Sequence, residues 1–401
     1  MKILHVNCSE IGSTGKIIQS ISDYSHANGD KSVLLAPKIT LKSNDSLKKY
    51  QTSFKGEQGI YRRINQIFGY QYGFAPFSTS KIKRIINKEK PDIVHVHCVN
   101  GNMVNVYKLF AFLKRKKIKT VITNHAEFFY TGNCSHAFEC DKWLTGCGNC
   151  PSLYRSTLSK FFDVTKKAYV KMKKAISGLD DLVVVSVSPW VMERAKRSPI
   201  MKDCTHVLIE NGVDASVFNK DKPFIPQEKK TVLQVTALFS DTDDSVKGGK
   251  YLVDVAKAYE DKNVEFLVAG RNVVSSDLPK NLKLLGRVLD QNELSNLYQK
   301  ASVTLLTSKR ETFGMAVIES LACGTPVVGF KSGGSESIAT KAYSKFVDFG
   351  DTKSLINALD NVLDMKTDDL ANKISSDAIS RYSSEVMAKK YNDLYLKILR
   401  G

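Results

Sequence analysis

Short, β-branched apolar runs recur along the first half of the chain: MKILHV, SVLLA, DIVHVH, TVIT and LVVVSV. Longer segments with helical spacing separate most of them, which is the rhythm of a parallel α/β sheet. The rhythm restarts after residue 207 with TVLQVTA, VEFLVAG, LKLLG, SVTLLTS and TPVVGF, again divided by amphipathic stretches such as GKYLVDVAKAYEDK. The pattern predicts two doubly wound, Rossmann-like domains, residues 1–208 and 209–382, with a last helix at about 383–401 packing back on the first. The segment ENGVDASVFNKDKPFIPQEKK, punctuated by Asn211, Gly212, Pro223 and Pro226, reads as the linker, with the boundary near Ile209.

The 401 residues are enough for two cores and a cleft between them. No apolar run approaches the roughly 18 residues needed to span a bilayer, and the opening MKILHVNCSE is too short and too polar for a signal peptide, so a cytosolic protein is expected. The net charge of +18 is one-sided: residues 1–200 carry 32 Lys+Arg against 14 Asp+Glu, whereas residues 201–401 carry 27 of each. A basic N-terminal domain points to a polyanion, either nucleic acid or an anionic membrane face, with a solvated surface as the plainer alternative. The absence of interleaved aromatic and basic RNA motifs argues against nucleic acid. In FFDVTKKAYVKMKKAI, Phe162, Tyr169, Met172 and Ile176 recur at near-helical spacing between lysines, which suits a bilayer surface or ordinary packing.

Chemistry concentrates at residues 311–319, ETFGMAVIE, which follow the strand SVTLLTS and open a helix. Free N–H groups of Phe313, Gly314 and Met315 at a helix N-terminus suit an anion, and Gly314 permits close approach of a phosphate. Glu319 lies further along the same helix, where a carboxylate can accept two ribose hydroxyls. Glu311 precedes the helix and can meet a sugar. In the N-terminal half, GSTGK at Gly12 to Lys16 lacks the Walker spacing, because Glu10 and Ile17 occupy the positions of the required glycine and hydroxyl residue. Gly12, Ser13, Thr14 and Gly15 therefore read as a glycine-rich helix start, with a tight structural turn as the alternative. His125 ends the strand TVIT, and His97 and Asn100 end the preceding one, with His95 expected inside the sheet. Cys134, Cys140, Cys147 and Cys150 share one loop, and the choice is between a structural tetrathiolate zinc and free buried thiols, with disulfides disfavoured in the cytosol.

SKRETFGMAVIESLACGTPVVGFKSGGSES resembles the glutamate-pair signature of the family 4 retaining glycosyltransferases, NGVDASVF is similar to that family's entry to its C-terminal domain, and LLGRVLDQNELSNLYQKASVTLLTS resembles its strand, helix and strand before the signature. The resemblance implies a GT-B fold and transfer from a UDP-, GDP- or ADP-sugar with no catalytic metal. It implies that Glu319 holds the ribose, that Glu311 contacts the donor sugar, and that the backbone of Phe313 to Met315 receives the diphosphate together with Lys247 and Gly248. The family's arginine before that lysine is missing from FSDTDDSV, and Arg271 is the candidate substitute. The backbone at Arg287 and Val288 matches the position that reads the base. Gly15 is expected on the donor side, and Gly12, Ser13, Thr14, His97 and Asn100 on the acceptor side. His125 matches the family's active-site histidine, although Ala126 stands where relatives frequently carry a carboxylate. The expected acceptor is a lipid-linked saccharide at the inner membrane face, in assembly of O-antigen, capsule or exopolysaccharide. Three rivals remain at this point. One is a metal-dependent GT-A enzyme using Asp241 to Asp244, one is a GT-B epimerase or phosphorylase, and one is a non-catalytic binding partner of a transferase.

Overall fold

The computed structural model describes residues 1–179 and 181–400. The chain divides into two compact units, Met1–Glu210 with Met387–Gly401, and Asn211–Val386. The first holds a seven-stranded sheet built from β1 (Lys2–Val6), β2 (Lys31–Ala36), β3 (Leu47–Gln51), β4 (Ile93–Val96), β5 (Lys119–Asn124), β6 (Leu182–Ser186) and β7 (Thr205–Leu208). Its order is β3-β2-β1-β4-β5-β6-β7, and the paired strands are parallel. The second holds β8 (Lys230–Ser240), β9 (Val264–Val273), β10 (Leu282–Gly286), β11 (Val303–Leu306), β12 (Val327–Phe330) and β13 (Ser344–Val347), ordered β10-β9-β8-β11-β12-β13 and again parallel.

The apolar runs predict this arrangement because a parallel strand is covered on both faces: β4, β11 and β12 are buried at every position. Helices between the strands start where a side chain can accept the first free N–H. Asn105 caps Val106–Lys116, Ser188 caps Pro189–Arg197 and Asp290 caps Gln291–Lys300. In the first unit Ile3, Ile93, Val121 and Val185 line one face of the sheet and pack against Ile17 and Ile21 of helix Gly12–Ala27 and against Met387, Tyr391 and Tyr395 of helix Ser384–Arg400. In the second, Val232, Phe266, Val303, Leu305, Val328 and Phe330 form the centre of the core with Leu252, Val255, Leu355 and Leu359 from two flanking helices.

The segment read as a linker is tied down. Val213 N–H donates to Tyr382 at 2.7 Å, Ser384 N–H donates to Val213 at 2.8 Å, and Phe218 is buried edge-on to Tyr298. Its glycine and prolines punctuate a path fixed to the second unit, because apolar Val213 and Phe218 gain more from burial than from solvation. No described helix is long and apolar enough to cross a membrane.

Candidate active site

In the second unit the candidate donor residues gather at the C-terminal ends of the parallel strands, where open α/β sheets bind ligands. Helix Met315–Ala322 begins just beyond β11, preceded by Gly314 in the left-handed region at φ 94°. A side chain there would run into the Ser335 hydroxyl, so the turn that opens the helix demands glycine. The Phe313 side chain is buried, packing edge-on to Tyr382. What Phe313 can offer an anion is its backbone, as the sequence implies. Gly314→Ala is expected to lower the stability of this unit by about 1–3 kcal/mol and to abolish nucleotide binding, checked by urea denaturation and by titration calorimetry with UDP, GDP and ADP.

Lys247 reaches the same turn from the loop after β8. Its Nζ lies 2.6 Å from Glu311 Oε1, with both side chains partly exposed. The backbone around it is over-determined. Gly248 adopts φ 64°, a side chain there would overlap the Thr307 carbonyl, Thr307 Oγ1 donates to the Lys247 carbonyl at 2.9 Å, and Lys309 N–H donates to Val246 at 2.8 Å. Glu311 is held in turn against the segment after β12: its N–H donates to Ser332 and its carbonyl accepts from Gly334. An ammonium and a carboxylate thus stand fixed beside a helix N-terminus.

Glu319 sits one turn on, where its Oε2 accepts from Tyr298 O–H at 3.0 Å. Tyr298 is fully buried, and burial followed by the Glu319 charge holds its phenol well above the ordinary tyrosine range, so it remains a donor at any physiological pH. Glu319 also lines a pocket of about 490 Å³ with Thr236, Arg271, Arg287, Val288 and Leu294. Arg271 and Val288, predicted to approach the donor, share this pocket with the predicted ribose carboxylate. Tyr298→Phe keeps the packing and removes the bond that fixes Glu319. Nucleotide binding is expected to weaken about tenfold, read as the dissociation constant of the bare nucleotide.

Asp241 to Asp244 are occupied with the loop itself. Asp241 accepts from the N–H groups and hydroxyls of Ser275 and Ser276, which holds its pKa at about 2. Asp243 pairs with Lys250 at 2.5 Å, and Asp244 accepts from Thr242. The run acts as a set of loop caps.

In the first unit Gly12 opens its helix at φ 81° with space around it, and Thr14 Oγ1 accepts from Asn7 Nδ2 at 3.0 Å. Gly15 is buried against the Glu10 backbone, where a side chain would overlap the carbonyl, so its lack of a side chain serves packing. Asn100 accepts from Tyr72 O–H at 3.3 Å. His125 is partly exposed at the end of β5, yet desolvation lowers its pKa to about 4. His97, expected to line the acceptor side of the cleft, is fully buried behind it, with Nδ1 3.2 Å from His125 Nε2.

The four loop cysteines are half-buried and free of disulfides. Among the described residues, the His, Cys, Asp or Glu trio whose ligand atoms come within 4.8 Å of one another is His5, His95 and His97, and the cysteines are not gathered in this way. The bracing visible in that loop comes from Glu127, which the sequence reading passed over. Its fully buried carboxylate accepts from Ala137 N–H at 2.8 Å, from Tyr130 O–H at 3.0 Å and from Arg194 Nε at 2.9 Å, and Arg194 lies over the buried Trp143 ring.

Comparison with known proteins matches this geometry to a family. The profile described as Glycosyltransferase Family 4 covers residues 17–217, and that described as Glycosyl transferases group 1 covers residues 218–381. N-acetyl-alpha-D-glucosaminyl L-malate synthase of Bacillus anthracis is 22% identical over 84% of this chain and 83% of its own. The putative colanic acid biosynthesis glycosyl transferase WcaC of Escherichia coli (strain K12) is 20% identical over 83% of this chain and 78% of its own. Among solved structures, Anabaena Alr3699/HepE in complex with UDP-glucose superposes with a TM-score of 0.61 at 14% identity, covering 99% of this chain and 100% of that one. The chain belongs to Glycosyltransferase Family 4, has the GT-B fold and is a glycosyltransferase. The fold sets aside the GT-A rival of the sequence reading.

Proposed function

We propose that the protein is a retaining glycosyltransferase that moves a sugar from a nucleoside-diphosphate sugar to a lipid-linked saccharide on the path to a bacterial surface polysaccharide. The observation that carries the donor half is the grouping, on one unit, of the Lys247 ammonium, the Gly314 helix start and the Tyr298-anchored Glu319 at the mouth of a nucleotide-sized pocket. The diphosphate takes the helix N-terminus and Lys247, the ribose takes Glu319, and the base enters the pocket beside Arg271, Arg287 and Val288. HepE, of the same fold, is described with UDP-glucose bound, which supports a uridine donor.

The sugar–phosphate bond breaks as Lys247 and the helix N-terminus stabilise the charge growing on the departing diphosphate. The acceptor oxygen forms its bond to the same face of the oxocarbenium-like carbon, and its proton passes to the leaving phosphate oxygen. Retention is our reading from the resemblance of residues 308–337 to the signature of the retaining family 4 enzymes. Glu311 contacts the donor sugar, and its pairing with Lys247 keeps the ammonium in place before the diphosphate arrives.

The lipid-linked acceptor rests on the first unit's surface. Of the amphipathic stripe in helix Thr165–Ile176, Tyr169, Met172 and Ile176 are buried in the unit, so that stripe serves packing. The neighbouring Phe161 and Phe162 are 70% and 54% exposed, and Phe162 stacks on the exposed Phe68 at 6.0 Å. Aromatic rings standing out of a lysine-rich surface suit an anionic bilayer, and colanic acid biosynthesis, assigned to WcaC, is the kind of pathway we infer.

A thermal-shift series with UDP-, GDP- and ADP-sugars tests the donor, because a ligand bound at a hundred times its dissociation constant adds about 2.7 kcal/mol to stability. NMR of the product's anomeric proton then reads retention. Flotation with vesicles of mixed neutral and anionic lipid tests the surface: binding at low salt should fall at least fivefold in Phe161→Ser/Phe162→Ser. Equal binding to neutral vesicles, or none to anionic ones, overturns the membrane half and leaves the donor half standing.

A further inference from the structure

Beneath His125 lies a chain of imidazoles that donor binding does not use. β1 and β4 pair in parallel with His5 opposite His95, and alternation along β4 brings His97 to the same face. Ring centroids are 5.3 Å apart for His5 and His97, 3.8 Å for His95 and His97, and 5.5 Å for His97 and His125. His5 Nδ1 meets His97 Nε2 at 3.0 Å, and His97 Nδ1 meets His125 Nε2 at 3.2 Å. His95 belongs to a side branch, with Nδ1 2.7 Å from Tyr395 O–H and Nε2 2.7 Å from Thr123 Oγ1, which in turn meets Tyr391 O–H at 3.1 Å. With its ring nitrogens already engaged by hydroxyls, His95 makes the trio a hydrogen-bonded core and not a metal site.

A neutral imidazole carries one N–H, so the chain can run in two directions only. If His125 Nε2 donates to His97, then His97 Nε2 donates to His5 Nδ1, and the His5 proton is forced onto Nε2. That atom is fully buried and has no hydrogen-bond partner. An orphaned N–H at that depth is the costlier defect. In the other direction His5 Nδ1–H donates to His97 Nε2, and His97 Nδ1–H donates to His125 Nε2. The unmatched group at the far end is then a lone pair. We propose that His5 and His97 are positioning residues which hold His125 neutral with its proton on Nδ1, so that His125 enters sugar transfer as a hydrogen-bond donor and is barred from acting as the base. The inference rests on the reading of His125 as an active-site residue. It deepens that reading, since with both ring nitrogens committed the acceptor's proton has to leave through the departing phosphate.

The test is long-range ¹⁵N–¹H correlation NMR on full-length protein labelled with ¹⁵N-histidine, the His125 signals being assigned by their loss in His125→Gln. The expected spectrum shows His125 as the neutral Nδ1–H form at pH 7.5. His97→Leu should turn it into a mixture of tautomers and lower kcat roughly tenfold or more, with the KM for the nucleotide sugar unchanged. His97→Asn, whose carboxamide N–H can replace the imidazole donor, should restore both. An Nε2–H His125 in the native protein, a tautomer unmoved by His97→Leu, or an equivalent of bound metal lost in His97→Asn overturns the proposal. If His97→Leu does not fold by circular dichroism, the native spectrum and His97→Asn still decide. The native tautomer is read without turnover, so a failure to use any nucleotide sugar would refute the transferase reading separately.

Discussion

Lys247→Ala is expected to lower kcat by about 10²–10³-fold, with a melting temperature within about 2 °C of the native protein. The two halves of that expectation have different causes. Lys247 and Glu311 make a close pair, but their side chains are 34% and 20% exposed, so water screens them and solvates whichever partner remains. A pair of this kind contributes about 0–1 kcal/mol to folding. In the proposed transfer the same ammonium faces the charge that develops on the departing diphosphate, within a turn whose backbone is already locked by Gly248 and Thr307. A preorganised cation acts there without reorganisation, which is why its loss falls on kcat. Glu311→Gln in the same background supplies the control. In the empty enzyme Glu311 is the lysine's partner, whereas in the proposed donor complex the diphosphate takes the ammonium and Glu311 meets the sugar, so the double variant should be slower than Lys247→Ala alone. Steady-state kinetics with saturating donor checks both, and a Lys247→Ala turnover within threefold of native would remove Lys247 from the chemistry.

The grouping of the candidate donor residues was legible in the sequence because it is built from local features: a strand, a glycine in the left-handed region, and a helix whose first turn carries free N–H groups and which also carries Glu319. Lys247 and Gly248 could be placed for the same reason, since each lies just past a strand end. What escaped were partners brought in by tertiary packing. Tyr298 lies in a different helix from Glu319 and reads in the sequence as one more apolar position of NLYQKAS, although a tyrosine aimed at a core is a signal that its hydroxyl has a partner. Glu127, His5 and His97 share that cause. A carboxylate two residues after His125 looks exposed until Arg194 closes over it, and His97 at a strand end reads as a cleft-lining residue until parallel pairing puts His5 and His125 on either side of it. Gly15 has a packing role that its place in a glycine-rich string does not announce, because the fold uses that glycine to admit the Glu10 carbonyl.

The buried imidazoles also predict how the first unit responds to acid. Desolvation lowers His5 to about 3, and it lowers His95 and His97 well below the ordinary range, with neighbouring histidines adding to the effect. In the unfolded chain all three titrate near 6.5. A depressed folded pKa means that the stabilisation is complete above pH 6.5 and is lost as pH falls, because the unfolded state takes up protons that the folded one refuses. By pH 5 His5 has withdrawn about 2 kcal/mol, and His95 and His97 act in the same direction. Carboxylates held low by hydrogen bonds and lysines, such as Glu89 at about 2, contribute only below about pH 4.5, so the window from 6.5 to 4.5 reports the imidazoles. The two tryptophans, Trp143 and Trp190, both lie in this unit, and their fluorescence follows its unfolding selectively. The urea midpoint at pH 5.0 should lie below that at pH 7.5 by about 1 M or more, at a slope of about 1–3 kcal/mol per molar. Equal midpoints would mean that the histidines are protonated in the folded protein, and the neutral chain beneath His125 would fall with them.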